Sequence, residues 1–177
     1  SFFILNEKKW TIQNRGEISI RKNNTYAKQF SISQGLQKIS VQNHPNDVNG
    51  LQVKLEEVIL GDITNLFFSY PKLEGITNAT VNLNKINDQF SLNINSAINQ
   101  FSFNSTLLGN TTVNAAYDDK TGIVPFDLNC PNSSYHLAAK GIYAIKDSLN
   151  PLDATLTLQE SDFGLIQEFI GGVLTDL

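Results

Sequence analysis

Between Ala79 and Ala139 apolar and polar residues alternate through segment after segment. Ala79, Val81 and Leu83 are followed by Phe90, Leu92 and Ile94, then by Phe101 and Phe103. Val113, Ala115 and Tyr117 come next, followed by Val124, Phe126 and Leu128 and by Tyr135, Leu137 and Ala139. Asn, Ser, Thr, Gln and Lys stand between them. A period of two predicts strands with one apolar and one wet face. The segments are short and joined by turn residues, and no long helical pattern intervenes to cover the apolar face.

The same alternation extends to both sides. Phe3 to Leu5 and Trp10 to Ile12 predict a hairpin with a polar turn at Asn6 to Lys9, reading as the edge of a sheet. Gly16 opens a strand carrying Ile18 and Ile20, and Phe30 with Ile32, then Ile39 with Val41, continue the pattern. Gln42 to Gly50 is rich in Asn, Asp and Pro and predicts a loop. Leu51, Val53 and Leu55 predict a strand. Leu55, Ile59, Ile63, Leu66 and Phe67 then fall at helical spacings up to Pro71, which predicts a short helix near 57–67. A final strand at Leu152, Ala154, Leu156 and Leu158 precedes a second helix near 162–175. Ser161 or Asp162 is its N-cap, and Phe163, Ile166, Phe169, Ile170, Val173 and Leu174 form its stripe. Strand followed by short helix thus occurs twice, roughly a hundred residues apart, which reads as a long structural repeat. The chain divides into N-terminal strands, 1–50, and a strand-rich segment with the two helices, 51–177.

Composition narrows the partners. The net charge is -4, only 17% of residues are charged, and Lys and Arg are scattered, so the chain lacks the basic cluster that phosphate binding needs and no nucleic-acid partner is expected. No apolar run approaches the roughly 20 residues of a membrane-spanning helix, and Ser1 to Leu5 is too short for a signal peptide. With no Met, the sequence reads as a processed or excised segment. One cysteine excludes an internal disulfide framework.

Candidate chemistry is sparse. Cys130 shares parity with Phe126 and Leu128 and reads as a small buried hydrophobe. Asp127, Cys130 and His136 supply the parts of a nucleophile set, but parity puts the thiol on one face and the imidazole on the other. His44 lies in a loop. Asp118 with Asp119 is a tight acidic pair, and Lys120, Thr121 and Gly122 after it predict a hairpin turn and not a metal site. Sequons at Asn23, Asn78, Asn104, Asn110 and Asn132 are given no function, Gly171 and Gly172 fall late in a helix, and no catalytic residue or cofactor is assigned.

The apolar face is therefore the feature to explain. Two sheets could cover each other, giving a β-sandwich surface-binding or adhesin module. Alternatively one continuous sheet curls around a guest. Roughly thirteen strands at about 4.8 Å would give a trough near 60 Å long, and a five-residue strand spans about 17 Å, comparable to an acyl chain. A third possibility is a chaperone surface that holds strands by edge augmentation.

The stretch Ser161 to Leu177 (SDFGLIQEFIGGVLTDL), together with the strand starts Leu73 to Leu83 (LEGITNATVNL) and Leu107 to Tyr117 (LLGNTTVNAAY), resembles the TamB family of bacterial envelope proteins in its Bacteroidota-type form. The resemblance covers most of the chain from Leu51 onward. It implies a mainly β fold: a long curled, antiparallel-rich single sheet, the β-taco, with two short helices. It also implies a non-enzymatic segment in the periplasm of a Gram-negative bacterium, held at the inner membrane through a part absent here. The expected occupant is phospholipid or another acyl-chain ligand moving between inner and outer membrane. The expected protein partner is a TamA-like outer-membrane barrel, with a contribution to outer-membrane protein assembly. Parity assigns the lipid-facing positions to Val81, Leu83, Phe90, Leu92, Ile94, Phe101, Phe103, Val113, Ala115, Tyr117, Val124, Phe126 and Leu128.

Overall fold

In the computed structural model, which describes residues 1–13, 16–21, 24–47, 49–66, 69–86, 89–131, 136–147 and 149–159, the alternating segments are strands. They run β1 (Phe2–Leu5), β2 (Lys8–Ile12), β3 (Glu17–Arg21), β4 (Asn24–Lys28), β5 (Phe30–Gln34), β6 (Gln37–Asn43) and β7 (Leu51–Ile59), followed by α1 (Leu60–Thr64). Then come β8 (Leu73–Ile86), β9 (Gln89–Phe103), β10 (Thr106–Asp118), β11 (Ile123–Pro131), β12 (His136–Ala144) and β13 (Leu152–Gln159). Eleven strands make one sheet in the order β1-β2-β5-β6-β7-β8-β9-β10-β11-β12-β13, and every pair is antiparallel. The strands of 1–50 that belong to this sheet join those of 51–177 through β6 and β7, which pair from Lys38↔Glu56 to Asn43↔Leu51.

Turn chemistry sets the registers. Asn6 and Glu7, at φ 49° and 61°, make the two-residue turn between β1 and β2, and Asn104 with Ser105, at φ 48° and 74°, do the same between β9 and β10. Positive φ at both central residues matches the twist of the flanking strands. The hairpin β3–β4 forms a separate two-stranded sheet. Asn43, which shares parity with Ile39 and Val41, accepts the backbone N–H of Ala27 on its Oδ1 at 2.8 Å, so this hairpin sits against the apolar side of β6. β4 was not among the predicted elements, since NTYAK carries a single large apolar side chain.

The expected curled sheet is corrected. The sheet is open, neither curled nor closed, and its outer strands β1 and β13 do not pair with each other. Alternation dictates which face a side chain takes and leaves the curvature of the sheet unspecified. Bending instead belongs to bulges near one end. The ladder between β7 and β8 shifts between Leu55 and Val58, with Glu57 at φ 53°. β8 shifts against β9 between Glu74 and Ile76, and β9 against β10 around Gly109.

The same bulge corrects the first predicted helix. Leu55 to Ile59 continue β7, and only Leu60–Thr64 is helical. The helical spacing joins Leu55 to Ile59, whereas the bulge at Glu57 makes Val58 the next buried side chain of β7 and leaves Ile59 39% exposed. Five residues cannot hold a helix by themselves. Contacts from other strands hold α1: Gln37 Oε1 accepts the N–H of its N-cap residue Ile59 at 2.9 Å, and Lys8 Nζ meets Asp62 Oδ2 at 2.6 Å. It is the one helix among the described residues. The helix expected near 162–175 lies outside them.

Candidate apolar face

Registers decide which side chains share a face. Val53, Val81, Ile94, Ala115 and Phe126 stand opposite one another across five successive strands. A second row runs Leu51, Leu83, Leu92 and Tyr117. A third runs Leu55, Ala79, Ser96, Val113, Leu128, Ala139 and Leu156. Phe90 completes the second row's end against Tyr117, with ring centroids 6.3 Å apart. Val124, two residues from Phe126, takes the same face as Tyr143 and Leu152. Eleven of the thirteen positions assigned from parity thus lie on one surface of β8 to β11, most of them half-buried and Phe90 38% exposed.

Phe101 and Phe103 sit differently. Gln100, at φ 52°, shifts β9 by one residue, so the apolar side changes from even numbers at Phe90 to Ile98 to odd numbers at Phe101 and Phe103. Gly75, at φ 140°, faces this bulge, and a Cβ there would come within 2.7 Å of Ile98 Cγ2. Phe101 is 6% exposed and belongs to a dry cluster with Ile98, Leu108, Cys130 and Leu137, against which Leu60, Leu73, Phe103, Val113, Leu128 and Leu158 pack. Phe101 fills the closed end of the face, and Phe103 is half-buried at its margin. Buried hydroxyls there are satisfied: Thr77 Oγ1 and Ser96 Oγ share a 2.8 Å bond.

The opposite face is a mesh of neutral polar groups. Gln42 Nε2 donates to Gln52 Oε1, and Gln52 Nε2 donates to Asn82 Oδ1, each at 2.9 Å. Two open depressions, of about 600 and 460 Å³, lie on this side, walled largely by Lys54, Thr80, Asn95, Asn114, Asp127 and Lys140. Parity alone gives no signal for such hollows, which form where Ala97 and Ala116 stand between longer side chains.

The chemical candidates do not converge. Cys130 is fully buried, and its Sγ donates to the Leu108 carbonyl at 3.0 Å. His136 is exposed on the polar face, with Nε2 2.6 Å from Asn129 Oδ1. Asp118 and Asp119 form the predicted turn: the Asp118 carbonyl accepts from Gly122 N at 2.8 Å, and its Oδ1 accepts from Lys120 N at 2.9 Å. Tyr117 donates to Asp119 Oδ1 at 3.1 Å, and its phenol is raised above the ordinary value by partial desolvation and then by the Asp119 and Asp118 carboxylates. His44 Nδ1 accepts the N–H of Asn46 within its loop. Among the described residues no three His, Cys, Asp or Glu side chains gather as metal ligands. Sequons at Asn23 and Asn132 lie outside those residues. The other three asparagines are structural: Asn78 Oδ1 receives Glu57 N–H at 3.0 Å, Asn104 Oδ1 receives Lys72 N–H at 2.9 Å, and Asn110 Oδ1 receives Gln100 N–H at 3.2 Å.

No family model, curated protein or solved structure matches this chain.

Proposed function

We propose that the apolar face over β8 to β11 holds the acyl chains of phospholipid, in a non-enzymatic segment of a TamB-like envelope protein. The observation that carries this reading is the set of cross-strand rows just described. Val81, Ile94, Ala115 and Phe126 form a continuous apolar band across four strands, half-buried, with one two-stranded hairpin and one helical turn as the only described elements outside the large sheet. Apolar area left in water costs about 25 cal/mol per Å², so a band of this kind favours a greasy occupant. Acyl chains lie along the rows and headgroups remain at the rim, and no single residue is indispensable. In the parent protein the segment works in the periplasm of a Gram-negative cell, passing lipid between inner and outer membrane and supporting outer-membrane protein assembly beside a TamA-like barrel.

The lipid-facing set is Val81, Leu83, Phe90, Leu92, Ile94, Val113, Ala115, Tyr117, Val124, Phe126 and Leu128. The β-sandwich adhesin alternative loses ground because the second described sheet has only two strands. Photocrosslinking in cells tests the proposal. A photoreactive side chain at Phe90 or Phe126 captures phospholipid, and the same group at Asn95 or Asn114 on the polar face does not. Equal capture from both faces, or none from Phe90 and Phe126, rules it out.

A further inference from the structure

The polar face carries an apolar island. Pro125 and Ile142 stand directly opposite each other across β11 and β12, on the side where alternation places polar side chains. Both are exposed, Ile142 at 39%. Together with Ala116 on β10 they floor the smaller of the two hollows, about 460 Å³ in volume. Exposed apolar residues at positions the pattern reserves for polar ones break a local rule, and such breaks belong to functional sites.

The polar groups around that floor are left open. Asp127 stands opposite Asn114 on one side and Lys140 on the other. Although Asp127 and Lys140 carry opposite charges on adjacent strands, they make no ion pair. Among the described residues neither they nor Asn93, Asn95 and Asn114 make a side-chain hydrogen bond. Elsewhere on the same face the amides pair off, as Gln42, Gln52 and Asn82 do at 2.9 Å. The rim therefore offers three carboxamides that both donate and accept, a carboxylate that accepts and an ammonium that donates. The larger hollow adjoins the smaller along Asn95 and Asn114, which line both. Lys54, Thr80, Asn95, Asn114, Asp127 and Lys140 thus form one straight row across six strands. At the usual strand spacing that row is about 24 Å long.

An apolar floor inside a rim of mixed donors and acceptors fits a sugar. A pyranose ring presents C–H groups on its faces and hydroxyls, each both donor and acceptor, around its edge. A purely apolar guest would leave the rim groups desolvated and unpaired, which is costly. A polyanion would meet the Asp127 carboxylate at the centre of the row. We infer that the polar face of β7 to β12 is a binding site for an extended, neutral oligosaccharide. It lies along the row from Lys54 to Lys140 with one ring over Pro125 and Ile142. Its hydroxyls donate to the Asn and Asp oxygens and accept from the Asn and Lys nitrogens. A straight row requires a straight chain, so a β-linked glucan fits and a coiling α-linked one does not. The site lies on the opposite side of the sheet from the lipid-facing rows and stands whether or not lipid occupies them.

Titration with cellohexaose tests it, read by calorimetry and by the side-chain amide resonances of the 177-residue chain. Saturable shifts are expected at Asn93, Asn95 and Asn114, with weaker binding of cellobiose, which spans less of the row, and of maltohexaose, which coils. Asn114→Ala removes a carboxamide common to both hollows and should weaken cellohexaose binding about fivefold. Ile142→Ser removes part of the floor and should weaken it about threefold or more. Gln42→Ala, on the same face outside the row, should leave the affinity unchanged, and all three variants should keep the wild-type far-UV circular dichroism spectrum. No saturable shift with cellohexaose, maltohexaose bound as tightly as cellohexaose, or a loss in Gln42→Ala equal to that in Asn114→Ala would each overturn the inference.

Discussion

Asn110 Oδ1 accepts the backbone N–H of Gln100 at 3.2 Å, from the strand next door, at a residue held at φ 52°. Asn78 treats Glu57, at φ 53°, in the same way from β8, and also donates to the Glu57 carboxylate at 3.0 Å. Each asparagine satisfies the amide that its neighbour's bulge removes from the ladder, and so fixes where the register shifts.

Asn110→Ala is accordingly expected to lower stability by about 1 kcal/mol, the usual net worth of one such hydrogen bond. Gln100→Gly should move the other way by some tenths of a kcal/mol, since glycine takes positive φ without a Cβ penalty. Urea unfolding of the two single variants and the double variant measures both effects. A double variant at the sum of the singles would show that the bond and the strained backbone act independently.

Phe90 and Phe101 separate binding from folding. Phe90→Asp places a carboxylate on a side chain already 38% exposed, so the chain should fold with an unchanged spectrum and lose phospholipid in native mass spectrometry. Phe101→Asp buries an unpaired charge among Ile98, Leu108 and Cys130 and should unfold the chain or cost several kcal/mol. Lipid retained by Phe90→Asp would count against the apolar face as the binding surface.

The alternation made the faces legible before any coordinates. Val81, Ile94, Ala115 and Phe126 stand opposite one another as a period of two requires, and His136 and Cys130 fall on opposite sides as parity indicated. What escaped was the effect of single inserted residues. Glu57 moves the buried side chain of β7 to Val58, off the Leu55–Ile59 spacing that reads as helical, and Gln100 carries Phe101 into the closed end, because a bulge depends on the partner strand and has no one-dimensional signature. Curvature escaped for the same reason. A pattern of faces is compatible with a flat, twisted or curled sheet, and the hollows on the polar side come from small alanines among asparagines, which read simply as solvated positions.

Cys130 should be chemically silent in the folded chain. Its thiol is fully buried and donates to the Leu108 carbonyl, so Ellman's reagent should react only as fast as the chain unfolds, with a rate that rises steeply in denaturant. Leu137→Ala, which opens space beside the thiol in the same cluster, should cost about 2–5 kcal/mol and speed that reaction in proportion. A thiol that reacts at once in the native wild type would mean that the closed end is not dry.

The helix α1 depends on one carboxylate. Asp62 Oδ2 takes the Lys8 ammonium at 2.6 Å and a longer bond from Gln37 Nε2 at 3.3 Å, while its backbone carbonyl accepts from Asn6 Nδ2 at 2.9 Å. Asp62 is mostly buried and Lys8 about one-third exposed, so the pair is only partly screened and Asp62→Asn should cost about 1 kcal/mol at low salt. The gap between wild type and variant should narrow as ionic strength rises, because the lost interaction is the screened one. Lys8→Met retains the aliphatic stem and removes the charge, so it should reproduce the salt dependence of Asp62→Asn. A variant gap insensitive to salt would assign the loss to the Gln37 hydrogen bond, and with it the anchoring of the helix to β6 instead of β2.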